Sequence, residues 1–180
     1  MHWQSILSQA YHWCPDYDAA STEFSRILKP NGTVAFIWNL EDRSIIDLDF
    51  DSFRSSLLFY RDGARWVSEV RDVIEVQEQG TPQFRHMYWR QTFDTQSYQR
   101  EFNPPEENTW TYKLQADKEI VVDRASSKSY VAVLPDDKKA EVQEEIRKIV
   151  DQGLDRVWID ETQGLFEYPY KTWAVIAHKK

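Results

Sequence analysis

His12 is the side chain of this sequence best suited to handle a proton, because an imidazole changes charge near neutrality. It stands in Gln9-Ala10-Tyr11-His12-Trp13, directly after an extended segment and before an amphipathic helix. In open α/β sheets, ligands bind at the carboxyl ends of the strands. That rule makes Gln9, Ala10, Tyr11 and Trp13 a pocket rim around His12, and it puts Trp38-Asn39, at the end of the next strand, in reach of a substrate. A histidine satisfied beside Trp13, and a core role for Trp38, are the structural alternatives. Lys128 and Tyr130 read as part of a lid over an anionic substrate, with a solvated helix end and simple packing as their alternatives.

Other chemistries fit less well. His12, Cys14, Asp16 and Asp18 alternate as metal ligands would, but Pro15 and the helix start scatter them, so no metal site is expected. Asp47-x-Asp49-x-Asp51 begins like a calcium loop, yet Ser52 replaces the required glycine and Leu58 the bidentate glutamate. Cys14 has no base partner other than His12, and no G-x-S-x-G elbow exists. Glu23 and Arg26, three residues apart, form a surface pair.

These residues are positioned by a strand, a helix and a second strand. Ser5 to Tyr11 is expected to be extended. Asp16 or Asp18 caps the helix that follows, and Ala20, Phe24, Ile27 and Leu28 give it one apolar face, with Ser21, Glu23 and Arg26 mostly away from it. Pro30 ends the helix, Asn31-Gly32 turns the chain, and Thr33 to Trp38 forms a strand covered on both faces.

The middle of the chain reads as a helical insert. Helices are predicted over about 50–61 and 66–77, the second with Trp66, Val70, Val73 and Ile74 on one side. Phe84 to Phe93 fits either helix or strand. Gly80-Thr81-Pro82 and Asn103-Pro104-Pro105 break the pattern. Thr109 to Leu114 alternates as a strand, and 117–134 is helical with an interruption near Ser126-Ser127. Pro135-Asp136-Asp137 opens the clearest helix, with Val142, Ile146, Ile149 and Val150 as its buried stripe and Gly153 as its stop. Lys171 to His178 is the last predicted strand. The fold class is therefore α/β: a single domain over 1–180, with 1–43 and 109–180 forming the sheet and 44–108 an insert or cap.

Bulk composition narrows the function. A net charge of −8 argues against nucleic acid as a partner, since phosphate contacts need clustered cations. With 41% hydrophobic and 29% charged residues, the 180-residue chain has the balance of a globular domain large enough to bury a core. One cysteine excludes an intrachain disulfide and fits a reducing compartment. No apolar run is long enough for a membrane span and Met1 to Ser5 opens no secretory signal, so a cytoplasmic protein is expected.

The local wording goes further. Gln9-Ala10-Tyr11-His12-Trp13, then Glu23 through Leu28 into Lys29-Pro30-Asn31-Gly32, then Ile37-Trp38-Asn39, resembles class I S-adenosylmethionine-dependent methyltransferases of the small-molecule, trans-aconitate-type branch. Arg124-Ala125-Ser126-Ser127-Lys128-Ser129-Tyr130 and Tyr168-Pro169-Tyr170-Lys171-Thr172 resemble it too. The branch usually has two glycines after Lys-Pro, and Asn31 stands at the first. The resemblance implies a partial Rossmann-like sheet of late strands with a final antiparallel strand. It also implies S-adenosylmethionine as methyl donor and a small-molecule substrate, with carboxylates as the candidate class. No Gly-x-Gly loop occurs among the five glycines, and no acidic residue can be assigned to the donor's ribose. The expectation is thus an incomplete methyltransferase domain, weak or inactive by itself. The rival reading is a non-catalytic fragment that associates through an exposed sheet edge. Residues 1–8 and 44–61 fit the family poorly, as an imperfect gene model would produce.

Overall fold

The computed structural model describes residues 4–42, 64–153 and 155–180. The helix expected over 50–61, the Asp47-Asp49-Asp51 run and the ill-fitting stretch 44–61 lie outside the described residues, as do residues 1–3.

The architecture is α/β. Strand β1 (Gln4–Ser8) leads to a 3₁₀ turn at Tyr11–Trp13, helix α1 (Tyr17–Ile27) and strand β2 (Thr33–Glu41). Helix α2 (Arg65–Glu75) and three 3₁₀ turns precede helix α3 (Gln96–Glu101) and strand β3 (Glu106–Ala116). Helices α4 (Lys118–Ser126), α5 (Ser129–Ala132) and α6 (Asp136–Gln152) follow, then strands β4 (Trp158–Asp160) and β5 (Leu165–His178). The strand order is β1-β2-β5-β3, with β4 paired to β5. β1 and β2 run parallel, Gln4 opposite Thr33 and Ser8 opposite Ile37, as a strand–helix–strand crossover requires.

Packing divides the chain into two compact units. The first comprises 1–40, 82–110 and 172–180, the second 41–81 and 111–171. Within the first, Thr33 bonds His178 and Asn39 bonds Thr172, so the end of β5 runs antiparallel to β2. Its core is aromatic: Tyr11 stacks on Phe36 at 4.3 Å between centroids, and Trp38 lies 4.7 Å from both Phe84 and Trp89. Asp16 caps α1, accepting from the amides of Asp18 and Ala19 at 3.1 and 2.9 Å. Asn31 adopts φ 60°, which Asn tolerates better than other side-chain-bearing residues, so the Lys-Pro-Asn-Gly turn forms without its first glycine.

Two expectations are corrected here, and one left open is settled. β1 ends at Ser8, because Gln9 takes φ 54° and the chain then coils into the 3₁₀ turn rather than staying extended to Tyr11. Ile27, at the end of α1, is exposed, whereas Ser21 is fully buried. The cause is α3, which packs on that side of α1: Ser97 donates from its amide and hydroxyl to the Asp18 carboxylate at 2.9 and 3.0 Å and bonds Thr22 at 2.9 Å. Phe84 to Phe93, which fitted either helix or strand, lies in the 3₁₀ turns Phe84–His86 and Tyr88–Asp94.

The second unit is built on α2, α4 and α6 against β3 and β5. Of the stripe predicted for α2, Trp66, Val70 and Ile74 are buried and Val73 is partly buried, and α6 buries Val142, Ile146, Ile149 and Val150 as predicted. They meet Phe166, Tyr168 and Tyr170 of β5 in one core. Gly153, at φ 42°, stops α6. β5 begins at Leu165, six residues before the predicted start, and β4 was not foreseen. Both sit in a stretch where Gly164, Pro169 and scattered charges hide the alternation.

Candidate functional site

Two groups of side chains combine burial with polar chemistry, one in each unit. The first surrounds the carboxyl ends of the parallel strands β1 and β2. Gln9 is held at positive φ by two bonds to β2: its amide donates to the Ile37 carbonyl at 2.9 Å, and its side-chain Nε2 to the Asn39 carbonyl at 2.6 Å. The 3₁₀ turn that follows buries Tyr11 and His12 and leaves Ala10 and Trp13 exposed.

The Tyr11 hydroxyl pairs with Thr92 Oγ1 at 2.9 Å, and burial above all raises its pKa. Trp38 Nε1–H can only donate, and it points at His12 Nδ1 at 3.1 Å. The imidazole therefore accepts at Nδ1 and carries its proton on Nε2. Burial lowers its pKa below 6.5, which favours the same neutral form. Asn39 Oδ1 accepts from the Thr172 hydroxyl at 2.7 Å. This rim combines an oriented neutral histidine, an exposed indole and a small exposed residue. It can donate one hydrogen bond and cover a planar group, with no side-chain charge of its own.

The second group is charged and centres on Glu41, the last residue of β2, whose side chain is 1% exposed. Its Oε1 accepts from the Tyr170 hydroxyl at 2.9 Å and lies 2.8 Å from Lys128 Nζ. Its Oε2 accepts from Arg71 Nη1 and Lys128 Nζ, each at 3.0 Å. Burial alone would raise the Glu41 pKa, but the charges of Lys128 and Arg71 outweigh it and hold the carboxyl down to about 2. Arg71 also pairs with Glu75 of its own helix, and these two carboxylates keep it protonated against the cost of burial. Arg124 Nε donates to the Tyr170 hydroxyl at 2.8 Å, with its guanidinium carbon 4.8 Å from the centre of that ring.

The residues singled out from the sequence divide between these groups. Gln9, Ala10, Tyr11, His12, Trp13, Trp38 and Asn39 come together in the first unit. Lys128 and Tyr130 belong to the second, where Lys128 is tied to Glu41 and Tyr130 is buried in the core. Sequence reasoning missed Glu41, Arg71 and Tyr170. One signal was present: Arg71 lies four residues after Val67 and three before Ile74, a cation inside an apolar helical stripe, which demands a buried counterion. Among the described residues, no three His, Cys, Asp or Glu side chains stand close enough to hold a metal ion. No helix among them is long and apolar enough to cross a membrane.

No family model and no curated protein matches this chain. Among solved structures, it is similar to a "putative methyltransferase" of Bacillus halodurans C-125, at 14% identity and a TM-score of 0.39, over 97% of this chain and 68% of that protein. It is also similar to the YcgJ protein of Bacillus subtilis, at 11% identity and a TM-score of 0.41, over 98% of this chain and 64% of that protein. The chain thus spans about two thirds of the length of each.

Proposed function

We propose that this chain forms the later part of a class I S-adenosylmethionine-dependent methyltransferase that acts on a small molecule, with a carboxylate as the acceptor class, in the cytoplasm. The observation that carries this reading is the parallel β1–α1–β2 unit, with Gln9–Trp13 directly after β1 and Trp38-Asn39 in the last residues of β2. It joins the motif wording of residues 9–39 to the place where such folds hold ligands.

The residues present fit one edge of a donor site. Trp13 offers open aromatic surface beside the small Ala10, and His12 presents an Nε2–H fixed by Trp38. When bound, the donor supplies an electrophilic methyl group on sulfur. The chain's contribution is placement and shielding: Tyr11, locked on Thr92, keeps the rim in position, and the buried aromatics beneath it exclude water. His12, neutral and donating, suits orientation of an acceptor atom better than removal of a proton from it. Asn39 is the substrate-side candidate of this unit, whereas Trp38 is fully buried and serves the core.

The 180 residues contain no glycine-rich loop to cradle the donor, so binding by this chain alone is weak. Isothermal titration with S-adenosylmethionine tests this: heat that saturates only at millimolar donor agrees, and micromolar saturation disproves it. A second reading, association as a non-catalytic fragment, is favoured by the terminal place of β1 in the strand order and by Ile6, 64% exposed upon it. Light scattering separates the two, since a clean monomer at high concentration removes the association reading.

A further inference from the structure

We propose that Arg124, seated on Tyr170 beside Lys128, binds a carboxylate group of a small organic ligand. The assignment of that ligand as the methyl acceptor rests on the reading above; the site itself does not. Arg124 differs from most arginines of this acidic chain. Arg26, Arg65, Arg90, Arg100 and Arg147 each meet a carboxylate, whereas Arg124 meets none among the described residues. Its Nε is spent on the Tyr170 hydroxyl at 2.8 Å, and the ring lies 4.8 Å from its guanidinium carbon. These two contacts fix the plane of the fork and leave the Nη groups to face a ligand. A guanidinium fork matches the two oxygens of a carboxylate.

Arg71 and Lys128 are spent on Glu41 and Glu75, so Arg124 is the cation of this group that meets no carboxylate among the described residues. Tyr170 holds the parts together, donating to Glu41 while accepting from Arg124. Lys128 is 22% exposed and uses its ammonium on both Glu41 oxygens, which leaves a third N–H. Arg124 is exposed, so its remaining N–H groups reach solvent while Tyr170 sets its orientation from below.

The test is an NMR titration of the full 180-residue chain with sodium acetate, and separately with inorganic phosphate, at constant ionic strength and without S-adenosylmethionine. The resonances followed are the Tyr170 ring and the amides of Arg124 and Lys128. Saturable acetate shifts at these positions are expected, with phosphate binding more weakly. Arg124→Gln should weaken acetate at least about tenfold, and Arg124→Lys, which keeps the charge but not the fork, by an intermediate factor. Arg147→Gln should change nothing. Linear, unsaturable shifts, equal affinity in Arg124→Gln, or tighter phosphate binding would each overturn the assignment. If Arg124→Gln does not fold, the Arg124→Lys comparison decides alone. Because no methyl donor is present, failure here leaves the donor-binding reading standing, and the converse also holds.

Discussion

Replacing Glu41 by glutamine should destabilise the second unit by about 3 kcal/mol, a figure that follows from its pKa and its partners. The carboxyl sits at about 2 against an ordinary 4.5, and each unit of that difference is worth about 1.4 kcal/mol. Removing one partner of a buried ion pair costs ~3–5 kcal/mol, because the remaining charge is left uncompensated. Here Arg71 retains Glu75, and Lys128, 22% exposed, can turn toward water, so the lower end applies. The side-chain amide introduced at position 41 would also aim N–H donors at groups that only donate. The sign with pH follows from the lowered pKa. Glu41 contributes its full stability above about 4.5, and the contribution fades as pH falls toward 2. Urea unfolding of wild type and Glu41→Gln at neutral pH and at acid pH measures both effects. The two curves should lie furthest apart near neutrality and converge in acid. Glu69→Gln, in the exposed pair with Arg65, is the control and should cost a few tenths of a kcal/mol. A loss under about 1 kcal/mol for Glu41→Gln, or a gap that does not narrow in acid, would refute the buried-counterion reasoning.

Three further outcomes follow from particular contacts. Because the folded state binds a proton on His12 less readily than the unfolded chain, stability should fall as pH drops below 6.5, and His12→Phe should lessen that fall in denaturant titrations. Asp16→Ala removes the acceptor for two amides of α1 and should cost about 1 kcal/mol by thermal unfolding. Gly153→Ala places a Cβ 2.8 Å from Arg156 Cζ and 2.9 Å from the Val150 carbonyl at φ 42°, so a loss of ~1–2 kcal/mol is expected from the same measurement.

How far the sequence could be read depended on whether each interaction was local. The α1 cap, the Asn31 turn, the stripe of α6 and its Gly153 stop are properties of a few neighbouring residues, and all were legible. The partner of α1 was not. Ser21 looked like a surface residue because α3, some 75 positions away, covers it, and no short-range period announces a contact between Thr22 and Ser97. Glu41 was hidden for the same reason: its partners Arg71, Lys128 and Tyr170 come from separate elements, the last 129 positions away. Lys128 reads from the sequence as part of a lid over an anionic substrate or as a solvated helix end, whereas burial of Glu41 gives it a structural task. Gln9 to Trp13 stand out in the sequence because ligands bind at strand ends by a general rule, but the Trp38 bond that fixes the His12 tautomer required the fold.

Whether Gln9–Trp13 forms one edge of a methyl-donor site is tested most directly by titration of ¹⁵N-labelled protein with S-adenosylmethionine. Fast-exchange shifts should concentrate at the amides of Gln9 to Trp13 and at the Trp38 indole, without saturation in the micromolar range. Shifts absent from those residues, or clustered elsewhere, would contradict the donor-site assignment.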